Sequence, residues 1–169
     1  TGSCTIAGYV VTYTAVGTCT LTANQAGNAS YNAAPQVLRT VAVTPSATIT
    51  TITSSVNPSV LGQPVIFTVR VTTAGGAIPT GTVTLSSCEW ILFFCGGPNL
   101  GWGTQPLVGG VATFNISGLP VGRNGAYIVP NHMTAVYTPV GGNFNGSQAT
   151  LDQTVNTGNT ATALVSSLN

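Results

Sequence analysis

The chain has 169 residues and only 3% of them are charged: three Arg, two acidic residues and no Lys, with one His besides, for a net charge of +1. About a quarter of an ordinary soluble domain is charged. Acid–base catalysis, a Ser-His-Asp triad and a carboxylate metal cage all need titratable side chains, and nucleic acids or anionic membranes need basic patches. We therefore predict a non-enzymatic protein without catalytic residues, metal, cofactor or nucleic-acid partner.

Small and apolar residues make up the rest, with 43% hydrophobic residues, 21 Gly, 10 Pro and 28 Thr. Disordered chains show the opposite combination of low hydrophobicity and high charge. The longest apolar run, 90–95, is far shorter than the roughly 20 residues that cross a bilayer, so we expect no membrane insertion. No secretory signal precedes Cys4, and we expect a mature or fragmentary piece.

The four cysteines, Cys4, Cys19, Cys88 and Cys95, fall into two local pairs. Four cysteines allow three connectivities, and proximity favours 4–19 with 88–95. A zinc site lacks support, since there is no CxxC spacing or His cluster; free buried thiols remain the alternative. Two disulfides would place the protein outside a reducing cytosol, at the cell surface or secreted.

Strand patterns follow one another along the chain, and no stretch of 12 or more residues keeps a helical period. Alternating or β-branched segments predict strands at Thr5–Ile6, Tyr9–Thr14, Val65–Val71 and Thr82–Leu85. Turn clusters stand at Asn57-Pro58, Ala74–Gly76, Pro79–Gly81, Val108–Gly110 and Gly141–Asn143. This spacing predicts an all-β fold, a β-sandwich lined by Val, Ile, Leu and Phe.

Three internal echoes indicate a repeat. Residues 47–57 recur as 159–169, at an offset of 112 with five identities in eleven positions. Gly27–Asn32 resembles Gly142–Asn145, and Thr40-Val41 recurs 114 residues later. We predict tandem repeats of about 110 residues, typical of an immunoglobulin-like sandwich. Residues 1–44 would then be the C-terminal part of one repeat, 45–157 a complete repeat, and 158–169 the first strand of the next.

The sequence resembles the bacterial immunoglobulin-like repeat family, found in tandem in very large secreted and surface proteins. The resemblance is carried by Thr53–Thr68, Pro79–Leu85, Val108–Phe114, Thr134–Thr138 and Gly142–Ser147, and in the front piece by Gly17–Ala23 and Gln25–Pro35. It implies a sandwich of seven to nine strands used as a spacer or adhesive module, without catalytic residues. Similar repeats carry a Cys pair at the positions of Cys4 and Cys19.

Residues 86–97 depart from the family pattern, in which a short polar hairpin is usual. The insertion places apolar side chains within a Cys88–Cys95 loop, with another Trp nearby: Trp90, Ile91, Leu92, Phe93, Phe94 and Trp102. These residues either fold back on their own sheet, as buried aromatics usually do, or form an interaction patch for a neighbouring subunit or a host surface.

Four other residues attract attention. Asn28, Asn115 and Asn145 each begin an Asn-X-Ser sequence and are candidate glycosylation sites. A lone His132, with no second His, Cys or nearby carboxylate, is expected to be structural rather than a metal ligand.

We predict a structural or adhesive module of an extracellular protein or filament. Its partners would be copies of itself or neighbouring repeats, and host or cell-surface molecules. If 158–169 of one chain fills the gap in 1–44 of another, β-strand complementation gives a head-to-tail filament. The alternative is a carbohydrate- or ligand-binding accessory module of a secreted protein, which would use Trp90, Trp102 and Tyr127, with Glu89 as the nearby polar group.

Overall fold

The computed structural model describes residues 2–91, 94–95, 99–124 and 127–166, and for 89–91, 94, 123–124 and 127–128 it describes the backbone alone. Every regular element among these residues is a strand. The strands are β1 (Cys4–Ala7), β2 (Val10–Tyr13), β3 (Gly17–Gln25), β4 (Ala34–Val43), β5 (Thr48–Ser54), β6 (Ser59–Val60), β7 (Val65–Thr73), β8 (Gly81–Ile91), β9 (Phe94–Cys95), β10 (Leu100–Pro106), β11 (Val111–Ile116), β12 (Arg123–Asn124), β13 (Tyr127–Ile128), β14 (Asn131–Pro139), β15 (Ser147–Gln153) and β16 (Val155–Asn156). The chain divides into two compact units.

Unit 2 comprises residues 48–138 and 146–169 and is a β-sandwich. One sheet has the strand order β11-β7-β5. The other has the order β10-β8-β14-β15, and β9 extends it as a hairpin partner of β8. Strands β6 and β16 form a short parallel pair. The predicted all-β sandwich is confirmed.

Period-two alternation explains the core of unit 2. Along β7, Val65, Phe67, Val69 and Val71 are buried, while the side chains between them point outward. Because successive side chains of a strand lie on opposite faces, one face of each sheet is apolar, and the two apolar faces pack together. The other sheet contributes Val83, Leu85, Met133, Ala135 and Tyr137, and β11 adds Ala112, Phe114 and Ile116.

Strand β10, at one edge of the β10-β8-β14-β15 sheet, is protected against pairing with a further strand. The β10–β8 register shifts between Gly101 and Gly103, which makes a bulge at Trp102. Pro106, which lacks an N–H donor, ends the strand. Bulges and edge prolines both disfavour the addition of another strand.

Tyr137 anchors β14 to the turn before β8. The phenol is 2% exposed, and its hydroxyl donates a hydrogen bond of 2.8 Å to the carbonyl oxygen of Thr80. Burial raises the pKa of the Tyr137 hydroxyl above its ordinary value of 10.0. The neutral phenol is therefore the form that the folded sandwich stabilises.

Replacing Tyr137 by Phe should lower the free energy of unfolding by about 1–2 kcal/mol at neutral pH, because the Thr80 carbonyl loses its donor. The raised pKa means that the folded state holds this proton at a pH where the unfolded state has released it. Stability should consequently fall as the pH rises above about 10, and this fall should be smaller in Y137F. Denaturant unfolding at about pH 8 and about pH 11 measures both effects. Tyr31→Phe, which alters a phenol that is 73% exposed, is the control and should leave the free energy of unfolding at about pH 8 unchanged.

Unit 1 comprises residues 1–47 and 139–145 and consists of two hairpins, β1–β2 and β3–β4. A disulfide between Cys4 and Cys19 joins the hairpins, and a second disulfide joins Cys88 to Cys95 in unit 2. The predicted pairing of the cysteines is therefore confirmed. Residues 139–145 belong to unit 1 through Asn143, whose side-chain and main-chain oxygens accept hydrogen bonds from the amides of Val16 and Ser46.

Candidate interaction surfaces

The β3–β4 hairpin of unit 1 corresponds to the β14–β15 hairpin of unit 2. Strand β3 begins and ends 114 residues before β14, and each strand turns back into an antiparallel partner. The inward side chains of β14 include Met133, Ala135 and Tyr137, which are 0%, 0% and 2% exposed. Their counterparts at the same offset in β3 are Cys19, Leu21 and Ala23.

The matching face of the hairpin is uncovered in unit 1. The register places Cys19 opposite Val41, Leu21 opposite Arg39, and Ala23 opposite Val37, so these residues share one face. Cys19, which forms the disulfide with Cys4, is buried. In contrast, Val37 is 51% exposed and Val41 is 37% exposed. We call Leu21, Ala23, Val37, Arg39 and Val41 the open face. In the corresponding hairpin of unit 2, the β14 half of this face is buried and the β15 half is partly buried.

In unit 2, the strand that covers the corresponding hairpin is β5. The hydroxyls of Thr48 and Thr50 lie 2.7 and 2.6 Å from the Ser147 hydroxyl, near the start of β15. At the other end, the Ser54 hydroxyl donates a hydrogen bond of 2.6 Å to Gln153 Oε1. We call these contacts the hydroxyl clamp, because they hold β5 to β15 at both ends.

Gln153 is the centre of a buried polar network, with 0% of its side chain exposed. Its amide nitrogen donates hydrogen bonds to Val56 O, at 3.0 Å, and to Thr154 O, at 3.1 Å. A longer contact of 3.3 Å reaches the Ser59 hydroxyl. The Gln153 side chain therefore holds the segment that connects β5 to β6 against the C-terminal end of β15.

The segment 157–166 follows the sandwich without forming a strand, and all of its residues are exposed. Leu164 is 98% exposed and Val165 is 87% exposed. The sequence of this segment nevertheless repeats that of β5 at the offset of 112 residues. A strand forms only beside another strand, and the segment joins no sheet in the described part of the chain.

The predicted aromatic patch is only partly described. Trp90 pairs with Cys95, and Ile91 with Phe94, in the β8–β9 hairpin, whose side chains at 90, 91 and 94 lie outside the description. Leu92 and Phe93 lie outside the described residues altogether. Trp102 is partly buried and donates a hydrogen bond of 2.8 Å from Nε1 to the Ser87 hydroxyl. A depression of about 330 Å³ beside the disulfide is lined by Ser86, Ser87, Cys88, Cys95, Asn99 and Thr134.

His132 faces Asp152 across the β14–β15 pair, with 2.7 Å between Nδ1 and Asp152 Oδ1. The expectation that no carboxylate lies near His132 is therefore wrong, because the strand register brings together two residues 20 positions apart. The side chain of His132 is 17% exposed and that of Asp152 is 55% exposed. Among the residues that the structure describes, no group of three or more His, Cys, Asp or Glu side chains is arranged to hold a metal ion. The same part of the chain contains no helix that is long and apolar enough to cross a membrane.

Comparison with known families matches this architecture. The sequence model of the family described as bacterial Ig-like domain (group 3) matches residues 52–156, from the middle of β5 to the end of β16. The match covers more than half of the chain. The chain belongs to this family. A search of curated proteins found no match.

Membership of the bacterial Ig-like family supports a coarse functional statement. Domains of this family are generally non-enzymatic structural modules. Both these domains and disulfides are typical of extracellular proteins. The boundaries at 44/45 and 157/158 and the tandem arrangement of repeats stay predictions.

The three candidate glycosylation sites of the Ig-like chain are all exposed. Asn28 sits in a tight turn, where its side-chain oxygen accepts hydrogen bonds from the amides of Ser30 and Tyr31. Asn115 points outward from β11, and Asn145 precedes β15. Modification at these residues stays a prediction, as does sugar binding by Trp90, Trp102 and Tyr127.

Two features of the Ig-like sandwich escaped sequence reasoning: the Gln153 network and the hydroxyl clamp. Gln, Ser and Thr in strands ordinarily lie on the solvent face, and nothing in their pattern distinguishes Gln153 from the exposed Gln148. The recurrence of hydroxyl residues between 47–57 and 159–169 was the one available signal for the clamp.

Proposed function

We propose that this chain is a structural and adhesive module of an extracellular surface protein or filament, assembled head to tail by β-strand complementation. Residues 158–169 of one copy cover the open face of unit 1 in another copy. The observation that carries this proposal is the exposure of Ala23, Val37 and Val41. Their register counterparts in unit 2 are Tyr137, which is buried, and Ser147 and Leu151, which are partly buried. Covering such a face removes apolar surface from water, which is the main favourable term in association.

The β3–β4 hairpin offers a regular stretch for an added strand. Its register is uninterrupted over Gly17–Ala23 and Val37–Val43. The ladder shifts between Ala23 and Gln25, and Pro35 lies near the start of β4, so an added strand would pair beyond these features. A regular ladder with an exposed apolar face can accept an added strand.

The chemistry of the segment suits the open face. Arg39 is the one charged residue on that face, and it can only donate hydrogen bonds. Residues 158–169 contain no cation and carry hydroxyls at Thr160, Thr162, Ser166 and Ser167. These hydroxyls and the carbonyls beside them supply acceptors for the guanidinium without repelling it.

The geometry of this contact favours a filament. The donor segment and the acceptor hairpin are different surfaces of one chain, so the contact is heterologous and each copy retains a free donor and a free acceptor. Such contacts extend unless the rotation between copies closes a ring. Cell-surface adhesion would then reside in other parts of the module, and the β8–β9 hairpin region is our candidate.

Sedimentation velocity tests the proposal by comparing the full chain with a variant that lacks residues 158–169. We expect concentration-dependent assembly of the full chain and monomers of the variant. Assembly that is equal in both would contradict the proposal. Intact-mass spectrometry of the native material is the companion measurement: a polypeptide far heavier than 17.0 kDa would place the strand contact within one chain rather than between copies.

A further inference from the structure

We propose that unit 2 binds an acidic polysaccharide at a shallow depression beside Arg70, on the solvent-facing side of the β11-β7-β5 sheet. The guanidinium of Arg70 holds the carboxylate of one uronic-acid unit, and threonine hydroxyls on the same side of the sheet bind the hydroxyls of neighbouring units. This inference goes beyond the proposed function, because the site involves neither the segment 158–169, nor the open face, nor the β8–β9 hairpin.

The depression lies where β7 ends, between the loop that follows β7 and the turn that precedes β11. Its volume is about 200 Å³. Its lining includes Arg70, Thr72, Gly76, Ile78, Gly109 and Gly110. Ile78 is 63% exposed and supplies an apolar wall. Pockets for drug-sized ligands measure about 300–1,000 Å³, so this depression has room for a single sugar unit or a group of similar size.

Arg70 carries a positive charge that no described group neutralises. Its side chain is exposed on β7, and the residues opposite it in the register, Thr51 and Val111, are neutral. The one carboxylate whose side chain the structure describes, Asp152, contacts His132 in the other sheet. An arginine offers two parallel N–H donors to a carboxylate, and such a pair is stronger than a neutral hydrogen bond. A carboxylate therefore complements the charge of this site.

Two backbone donors lie in the same depression. Gly109 and Gly110 have φ values of 59° and 78° and form a tight turn, which is closed by hydrogen bonds between Val108 and Val111. Within the part of the chain that the structure describes, neither glycine amide donates a hydrogen bond to the protein. Because a backbone N–H always requires an acceptor, these two amides add to the donors that Arg70 offers to an anion.

The sheet face beside the depression carries hydroxyls and no second charge. Thr113, Thr68 and Thr53 lie opposite one another in the register and form a row of three hydroxyls across the sheet. The outward positions of the three strands are Ile49, Thr51, Thr53, Ile66, Thr68, Arg70, Thr72, Val111, Thr113 and Asn115.

This surface fits a polysaccharide better than an acidic peptide. One cation among neutral hydroxyls complements a polymer that has one carboxylate in each unit and hydroxyls elsewhere. A peptide would in addition use a strand edge or apolar pockets for its side chains. None of the ten outward residues is aromatic, so the face lacks a stacking platform and its binding of sugars depends on the carboxylate.

NMR titration of the isotope-labelled full chain with trigalacturonate tests this proposal. We expect the amide signals of Gly109 and Gly110 to shift, and Arg70→Gln to weaken binding at least about tenfold. Fully methyl-esterified trigalacturonate, which keeps the hydroxyls but lacks the charge, should likewise bind at least about tenfold more weakly. Arg39→Gln is the matched control, since it removes the same charge from another exposed strand residue. It should change the affinity by less than about twofold, because distant surface charges are screened.

Four results would overturn the proposal. Equal weakening in R70Q and R39Q would show that only net charge matters, and equal binding of the methyl ester would show that the carboxylate is not recognised. Equal or tighter binding of tetraglutamate at the same signals would assign the site to acidic peptides. Glycine signals that do not shift would place any binding elsewhere. Strand complementation is unaffected by these results, because the variant that lacks 158–169 tests it separately.

Discussion

Replacing Gln153 by Leu is expected to lower the free energy of unfolding of unit 2 by about 1–3 kcal/mol. The side chain is fully buried, and Leu leaves the buried Ser59 hydroxyl without its Gln153 partner. The carbonyls of Val56 and Thr154 each lose one hydrogen bond but remain bonded to the Ser54 hydroxyl and the Ser59 amide, respectively. A buried polar group without a partner is destabilising by about 1–3 kcal/mol. Leu fills most of the volume, so the loss reports the polar network rather than a cavity.

Gln148→Leu is the matched control for this prediction. It lies on the same strand but points to solvent, and its replacement should change stability by less than about 0.5 kcal/mol. Urea unfolding followed by tryptophan fluorescence measures both variants. Equal destabilisation by the two substitutions would show that the network does not hold the strand crossing.

Replacing both Cys4 and Cys19 by Ser is expected to remove about 3 kcal/mol of stability from unit 1 according to the loop-entropy model of disulfides. The bridge spans 15 residues and ties the β1–β2 hairpin to β3. The β1–β2 hairpin has little apolar burial of its own: Ile6 is 64% exposed and Val10 is 65% exposed. A two-stranded hairpin alone is marginal in water, so the disulfide should decide whether it stays ordered.

Hydrogen exchange resolved by peptide mass measures this effect where it occurs. Amides of β1 and β2 should exchange much faster in the double variant, while those of the sandwich core in β7 keep their protection. The double variant Cys88→Ser/Cys95→Ser is the control, since it breaks a bridge in unit 2 and should leave β1 and β2 unchanged. Unaltered exchange of β1–β2 in the first variant would contradict the prediction.

Much of the sandwich could be predicted from the sequence, since alternation alone places Val65, Phe67, Val69 and Val71 on one face. The two local disulfides were likewise predictable, because short loops close readily. Alternation acts within a strand, however, and the register between strands depends on all the side chains of the sheet together. The position of Arg39 opposite Leu21 on the open face was therefore beyond sequence reasoning.

The segment 157–166 illustrates a different limit. Its sequence predicts a strand, because residues 159–169 echo 47–57, yet the chain forms no strand over 157–166. A strand is a property of a pair, and its ladder needs a neighbour. The sequence could thus indicate what the segment is suited to do but not where its neighbour lies.

Head-to-tail assembly through residues 158–169 can be seen by electron microscopy in negative stain, with the full chain imaged beside the variant that lacks these residues. We predict filaments for the full chain and isolated particles for the variant, because the segment is the connector between copies. Filaments of equal length in both samples, or isolated particles in both, would contradict it.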